Sequence, residues 1–171
     1  MNEVYTEWRD SLRTKQKKRT YRHFDRQLDL DNVKDFEWIV RVIKNLNRHQ
    51  FLPFIKFIKT DIRYRKDVTG IPRRSIKPRP IMYASHLDAH IYSFYAYEWS
   101  KKYEESIKEI GSAESVIAYR KIADDGNGSR NKGNIQFARE VFQYIQDVGN
   151  CVAIVVDVSK FFDTLKHKIL K

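Results

Sequence analysis

Cysteine is nearly absent. The 171 residues include one, Cys151, which excludes an internal disulfide framework and fits a reducing cytosol. Cys151 opens an apolar run and reads as a small core residue. Long apolar runs are also lacking, so no segment is expected to span a bilayer. The N-terminal MNEVYTEWRD is charged and has no signal-peptide core. Acids are outnumbered, 22 Asp and Glu against 33 Lys and Arg, for a net charge of +11. A cationic surplus of this size suits a polyanionic partner such as nucleic acid, and equally a basic face turned to water. Enough apolar material remains to fold one ordinary domain, with 42% hydrophobic and 13% aromatic residues.

The stretches that are present alternate in character. VYTEWRDSLRTKQKKRTYRHF spaces Val4, Trp8 and Leu12 as a helix, and a basic run from Lys15 to Arg22 follows. DLDNVKDFEWIVRVIKNLNRHQ sets Val33, Phe36, Ile39, Val40, Ile43 and Leu46 on one helical stripe, with Asp29 or Asp31 as its cap. FLPFIKFIKTDIRYRKD alternates apolar and basic residues, which predicts one or two extended segments with a wet, basic side. VTGIPRRSIKPRPI crowds three of the four prolines among four cations and reads as a presented basic loop. SHLDAHIYSFYAYEWSKKYEESIKEI returns to helix, capped by Ser85, with Leu87, Ile91, Tyr95 and Trp99 four apart and Phe94 beside them. His86 and His90 stand one turn apart with no third ligand nearby, so they read as polar neighbours of a core stripe.

ADDGNGSRNKGN is a polar loop holding Gly126, Gly128 and Gly133, without the spacing of a P-loop. NIQFAREVFQYIQDVGN is a further amphipathic helix, its Ile135, Phe137, Ala138, Val141, Phe142 and Ile145 on one side, ended by Gly149. CVAIVV is apolar without alternation, which predicts a strand covered on both faces. Asp157 ends that strand. It can hold a divalent cation through its carboxylate or cap a turn, and both readings stay open on the residues alone. Asp163 precedes TLKHKILK and reads as a helix cap. The order of elements is an α+β pattern.

VVDVSKFFDTLKH resembles the first catalytic motif of bacterial reverse transcriptases, among them retron, group II intron and defence-associated enzymes. The resemblance implies that Asp157 binds two catalytic magnesium ions, with manganese as an alternative. It implies that Val158 offers its backbone carbonyl, and that Phe162 packs under the incoming sugar and excludes a 2′-hydroxyl. IPRRSIKPRPIMYASHLDAHIYSFYA is similar to the fingers segment of that family. There Arg73 and Arg79, with Lys77 as a weaker candidate, are implied to hold the triphosphate. Tyr119 and Arg120 stand where relatives carry a Phe-Arg-Pro segment, which implies template contact. Lys121 replaces the usual proline, as suits the defence-associated groups.

The likeness covers roughly residues 51 to 171 and implies a fold of right-hand polymerase fingers plus the first strand and helix of the palm. The expected parts are a helical extension over 1–50, fingers over 51–150 and the start of the palm over 151–171. The second metal-binding motif is absent, since the one Asp-Asp pair, Asp124-Asp125, lies in the polar loop. The chain alone is therefore expected to be inactive and to belong to a longer, cytoplasmic enzyme with no membrane attachment. That enzyme would join deoxynucleoside triphosphates to a 3′-hydroxyl. Its partners would be an RNA template and a DNA product, a non-coding RNA among the candidates, with its oligomeric state open. Antiphage defence is the role that the family implies. The competing expectation is a non-catalytic basic module that binds nucleic acid.

Overall fold

The computed structural model describes residues 3–13, 21–66, 69–124, 130–158, 164–166 and 168–169. The architecture is mixed α+β. Helix α1 (Glu3–Arg13) is followed by α2 (Val33–Lys44) and a short 3-10 turn (Leu46–Arg48). Strands β1 (Ile55–Lys66) and β2 (Pro72–Tyr83) come next, then α3 (His86–Glu109) and α4 (Asn134–Val148). The chain divides into two compact units, Met1–Ala113 and Glu114–Lys171. No helix among the described residues is long and apolar enough to cross a membrane.

The core of the first unit lies between α1, α2 and the first half of α3. Trp8, Leu28, Leu30, Phe36, Ile39, Val40, Ile43, Leu87, Ile91 and Phe94 are buried together. Trp8 sits among Phe36, Phe94 and His90, and its indole N–H donates to Ser93 Oγ at 3.2 Å. The α2 stripe forms as the spacing predicts, except that Val33 is exposed. The cap is Asn32, whose side chain accepts from the Asp35 N–H, in place of Asp29 or Asp31. Only the residue directly before the first turn can reach that N–H. Asp29 instead accepts from the Asp31 N–H through its side chain.

Ser85 caps α3 as expected, accepting from the Asp88 N–H at 3.1 Å. The apolar stripe of α3 is buried at its N-terminal half against α1 and α2, and again at Ile107 near its end. Leu87, Ile91 and Phe94 are inside, whereas Tyr95 and Trp99 are exposed. His86 and His90 are both buried; His86 stacks on Tyr21 at 4.8 Å. Helix α1 stops at Arg13, and Tyr21 and Arg22 are not helical. Residues 15–20 of the expected basic run lie outside the described residues.

In the second unit, α4 forms where expected and ends at Gly149, whose φ of 75° suits a residue without Cβ. Its apolar side is only partly covered: Phe137 and Ile145 are half-buried, whereas Ile135, Val141 and Phe142 are exposed. The polar loop is pinched by an antiparallel bridge between Ala123 and Asn131.

The segment expected to be a buried strand corrects the sequence reading. Residues 151–158 have no regular structure, and Val155 is 93% exposed. Cys151 is exposed as well. A strand forms only when a neighbour pairs its N–H and C=O groups. Among the described residues none pairs with this segment.

Candidate functional site

Strands β1 and β2 form a two-stranded antiparallel ribbon, so the expected basic loop is in fact a strand. Its three prolines, Pro72, Pro78 and Pro80, all fall on even positions. Backbone groups in an antiparallel pair point alternately toward and away from the partner. With the even set pointing away, no ladder bond needs the N–H that proline lacks. That alternation lets a proline-rich segment be a strand.

The register decides what each face carries. Lys59 lies opposite Arg79, Asp61 opposite Lys77, and Arg63 opposite Ser75, with Arg73 two residues further along. Directly opposed residues share a face, and alternate residues along a strand share it too. Lys59, Arg63, Arg73, Lys77 and Arg79 therefore project from one side. The other side carries Ile58, Ile62, Tyr64, Ile76 and Met82, all exposed. The two strands hold nine Lys or Arg and a single acid, Asp61. Asp61 Oδ2 forms an ion pair with Arg79, 2.6 Å from its Nε, and Lys59 Nζ stands 3.8 Å from Oδ1.

The foot of this ribbon is fixed. Asp88, 1% exposed on α3, takes the ring of His49 at 2.6 Å and the backbone N–H of Leu52 at 2.9 Å. Phe51 stacks on Tyr92 with ring centroids 5.6 Å apart, and Phe54 packs beside the same ring. Burial raises the pKa of the Tyr92 hydroxyl, and the nearby Asp88 adds to the rise. On the β2 side, Tyr21 donates to the Ala84 carbonyl at 2.9 Å and packs against Tyr83.

Asp25 accepts from the N–H groups of His86 and Leu87 at 3.0 and 2.9 Å, at the start of α3. Burial works against its ionisation, but those N–H groups outweigh it and hold its pKa below the ordinary value. Asp35 is paired with the Arg26 guanidinium, which lowers its pKa against the cost of burial. Both strands are thus tied at the foot of the ribbon to the N-terminal half of α3 or the chain entering it. The shaft stands in solvent.

The structure brings Arg73, Lys77 and Arg79 onto one face. Sequence reasoning missed Lys59, Asp61 and Arg63 on the facing strand. Their period-two spacing was the signal, and it shows the pairing only once the register is known. Tyr119 is 97% exposed with φ of 61°, a left-handed conformation that costs an L-residue about 1–2 kcal/mol. Arg120 donates to the Val116 carbonyl at 2.6 Å. Asp157 and Val158 lie exposed in irregular chain. Phe162 and Asp163 lie outside the described residues.

An Asp carboxylate and a backbone carbonyl are oxygen donors of the kind magnesium takes. They make up only part of a coordination shell, and no cluster of three or more His, Cys, Asp or Glu among the described residues completes one. The described residues therefore do not form a full metal centre. Comparison with models of known protein families gives no match, and comparison with curated proteins gives none either.

Proposed function

We propose that the chain is the fingers and the start of the palm of a reverse transcriptase, with residues 1–50 as a helical extension. The observation that carries this reading is the shared face of Arg73, Lys77 and Arg79 on a ribbon leading directly into α3. Arginine binds phosphate oxygens through a planar fork, and lysine adds a point charge, so such a face suits a triphosphate. In this reading the fingers run over 51–150 and the palm begins at 151. Asp157 and the Val158 carbonyl serve as ligands for magnesium or manganese, and Phe162 excludes the 2′-hydroxyl. Tyr119 and Arg120 meet the template. The substrates are deoxynucleoside triphosphates, the partners an RNA template and its DNA product. Cytoplasmic antiphage defence is the role that the family resemblance favours.

In the full-length protein, Asp157→Asn is expected to abolish deoxynucleotide incorporation and leave nucleic-acid binding intact. Arg73→Ala and Arg79→Ala are each expected to raise the KM for the triphosphate. Incorporation by Asp157→Asn at the native rate overturns the metal-ligand assignment.

A second reading is a non-catalytic module for single-stranded nucleic acid. Its support is the cationic face together with exposed rings at Trp99 and Tyr103 in the same unit, since bases stack on exposed aromatic rings. Oligonucleotide binding by a full-length protein that incorporates no nucleotide selects this reading.

A further inference from the structure

The cationic face contains its own anion. Asp61 is the single acid on the two strands, and it stands between Lys59, Lys77 and Arg79 in the cross-strand register. Its side chain is 26% exposed, against 44% for Arg79 and 63% for Lys59, so the carboxylate lies lower than the cations around it. Its Oδ2 lies 2.6 Å from Arg79 Nε as an ion pair. That nitrogen is one of the donors in the fork with which a guanidinium grips two oxygens at once.

We propose that Asp61 is a built-in competitor for phosphate, which holds Arg79 in the free protein and is displaced from it when a phosphate group binds. This rests on the reading of the face as a phosphate site. Two physical points support it. An ion pair this exposed is weak, so an incoming polyanion can break it. A lone carboxylate amid several cations also relieves their mutual repulsion, which keeps the face ordered before the ligand arrives. The exchange is purely ionic: Arg79 changes partner, Asp61 turns to Lys59 or water, and no bond is made or broken. The consequence is a face that is ordered when empty and releases its ligand readily. The shared ligand chemistry is a phosphate group, carried either by a nucleotide or by a nucleic-acid backbone.

The test measures binding of the whole chain to inorganic tripolyphosphate and to a labelled single-stranded oligonucleotide at low salt. Asp61→Asn is expected to tighten binding by up to about fivefold, the most that one exposed ion pair can withhold from a ligand of Arg79. Asp61→Ser is expected to do the same, and the gain is expected to shrink as salt rises. In the Asp61→Asn, Arg79→Ala double variant the gain is expected to vanish. Tightening for tripolyphosphate alone marks a nucleotide site, and tightening for the oligonucleotide marks a backbone site; either supports the proposal. Unchanged or weaker binding of both probes by both Asp61 variants overturns it. A gain that survives loss of Arg79 also overturns it, because the effect is then one of net charge. If Arg73→Ala, Lys77→Ala and Arg79→Ala leave wild-type binding unchanged, the phosphate-site reading itself fails. If those three weaken binding while Asp61→Asn does nothing, the site stands and only the competitor role falls.

Discussion

Replacing Asp88 with alanine is expected to cost the first unit about 3 kcal/mol of stability. The carboxylate is 1% exposed and joins two chain segments, through the His49 ring at 2.6 Å and the Leu52 N–H at 2.9 Å. Hydrogen bonds to a charged acceptor contribute roughly 1.5–3 kcal/mol each. Removing the acceptor also leaves the Leu52 N–H and the His49 ring without their partner. Part of this loss is offset, because a buried carboxylate no longer has to be desolvated. A net loss of about 3 kcal/mol lowers the melting temperature by on the order of 10 °C in a domain of this size. Asp88→Asn keeps the volume and one acceptor oxygen, so it is expected to fall between the two. Urea titration followed by tryptophan fluorescence reads the change, since Trp8 lies in the same core. The substitution also frees residues 49–52, which carry the chain into β1. Binding at the cationic face should therefore weaken even at temperatures where the mutant is folded. A stability loss under about 1 kcal/mol would refute the claim that Asp88 fixes the foot of the ribbon.

Three further outcomes follow from charge pairing and burial. Asp25 and Asp35 both have folded pKa values below the ordinary 3.8, so their contributions are complete above that value and lost as pH falls through the folded values. Urea midpoints are expected to hold steady down to about pH 4 and then drop, with Asp25→Asn reducing the drop. Ile39→Ala, in the fully buried part of α2, is expected to cost about 3 kcal/mol by denaturant titration. Phe142→Ala, on the exposed side of α4, is expected to cost less than about 0.5 kcal/mol.

The helices were legible because their signals are local. Ser85 three residues before Asp88, Gly149 after the last turn of α4, and the spacing of Phe36, Ile39 and Ile43 each act within a turn or two of the chain. Burial was less legible. The apolar spacing along α3 continues through Tyr95 and Trp99, yet those two are exposed while Leu87, Ile91 and Phe94 beneath α1 and α2 are buried. Periodicity states which residues share a face, and a second element decides whether that face is buried. The same reasoning failed for Val152 to Val156. Their composition favours a strand, but pairing requires another segment.

The sequence by itself determined the cationic charge, the lack of disulfides, the helical segments and the candidate phosphate-binding residues Arg73, Lys77 and Arg79. The charge, the cysteine count and the helices follow from residue identity and short-range spacing, whereas Arg73, Lys77 and Arg79 are candidates through the resemblance to a polymerase fingers segment. Only the tertiary structure decided that these three cations share a face with Lys59 and Arg63, and that Asp61 lies among them. Only it decided that Asp88 ties residues 49–52 to α3. Register and burial join residues far apart in the chain, and no local pattern encodes which distant partner a strand or a carboxylate will meet.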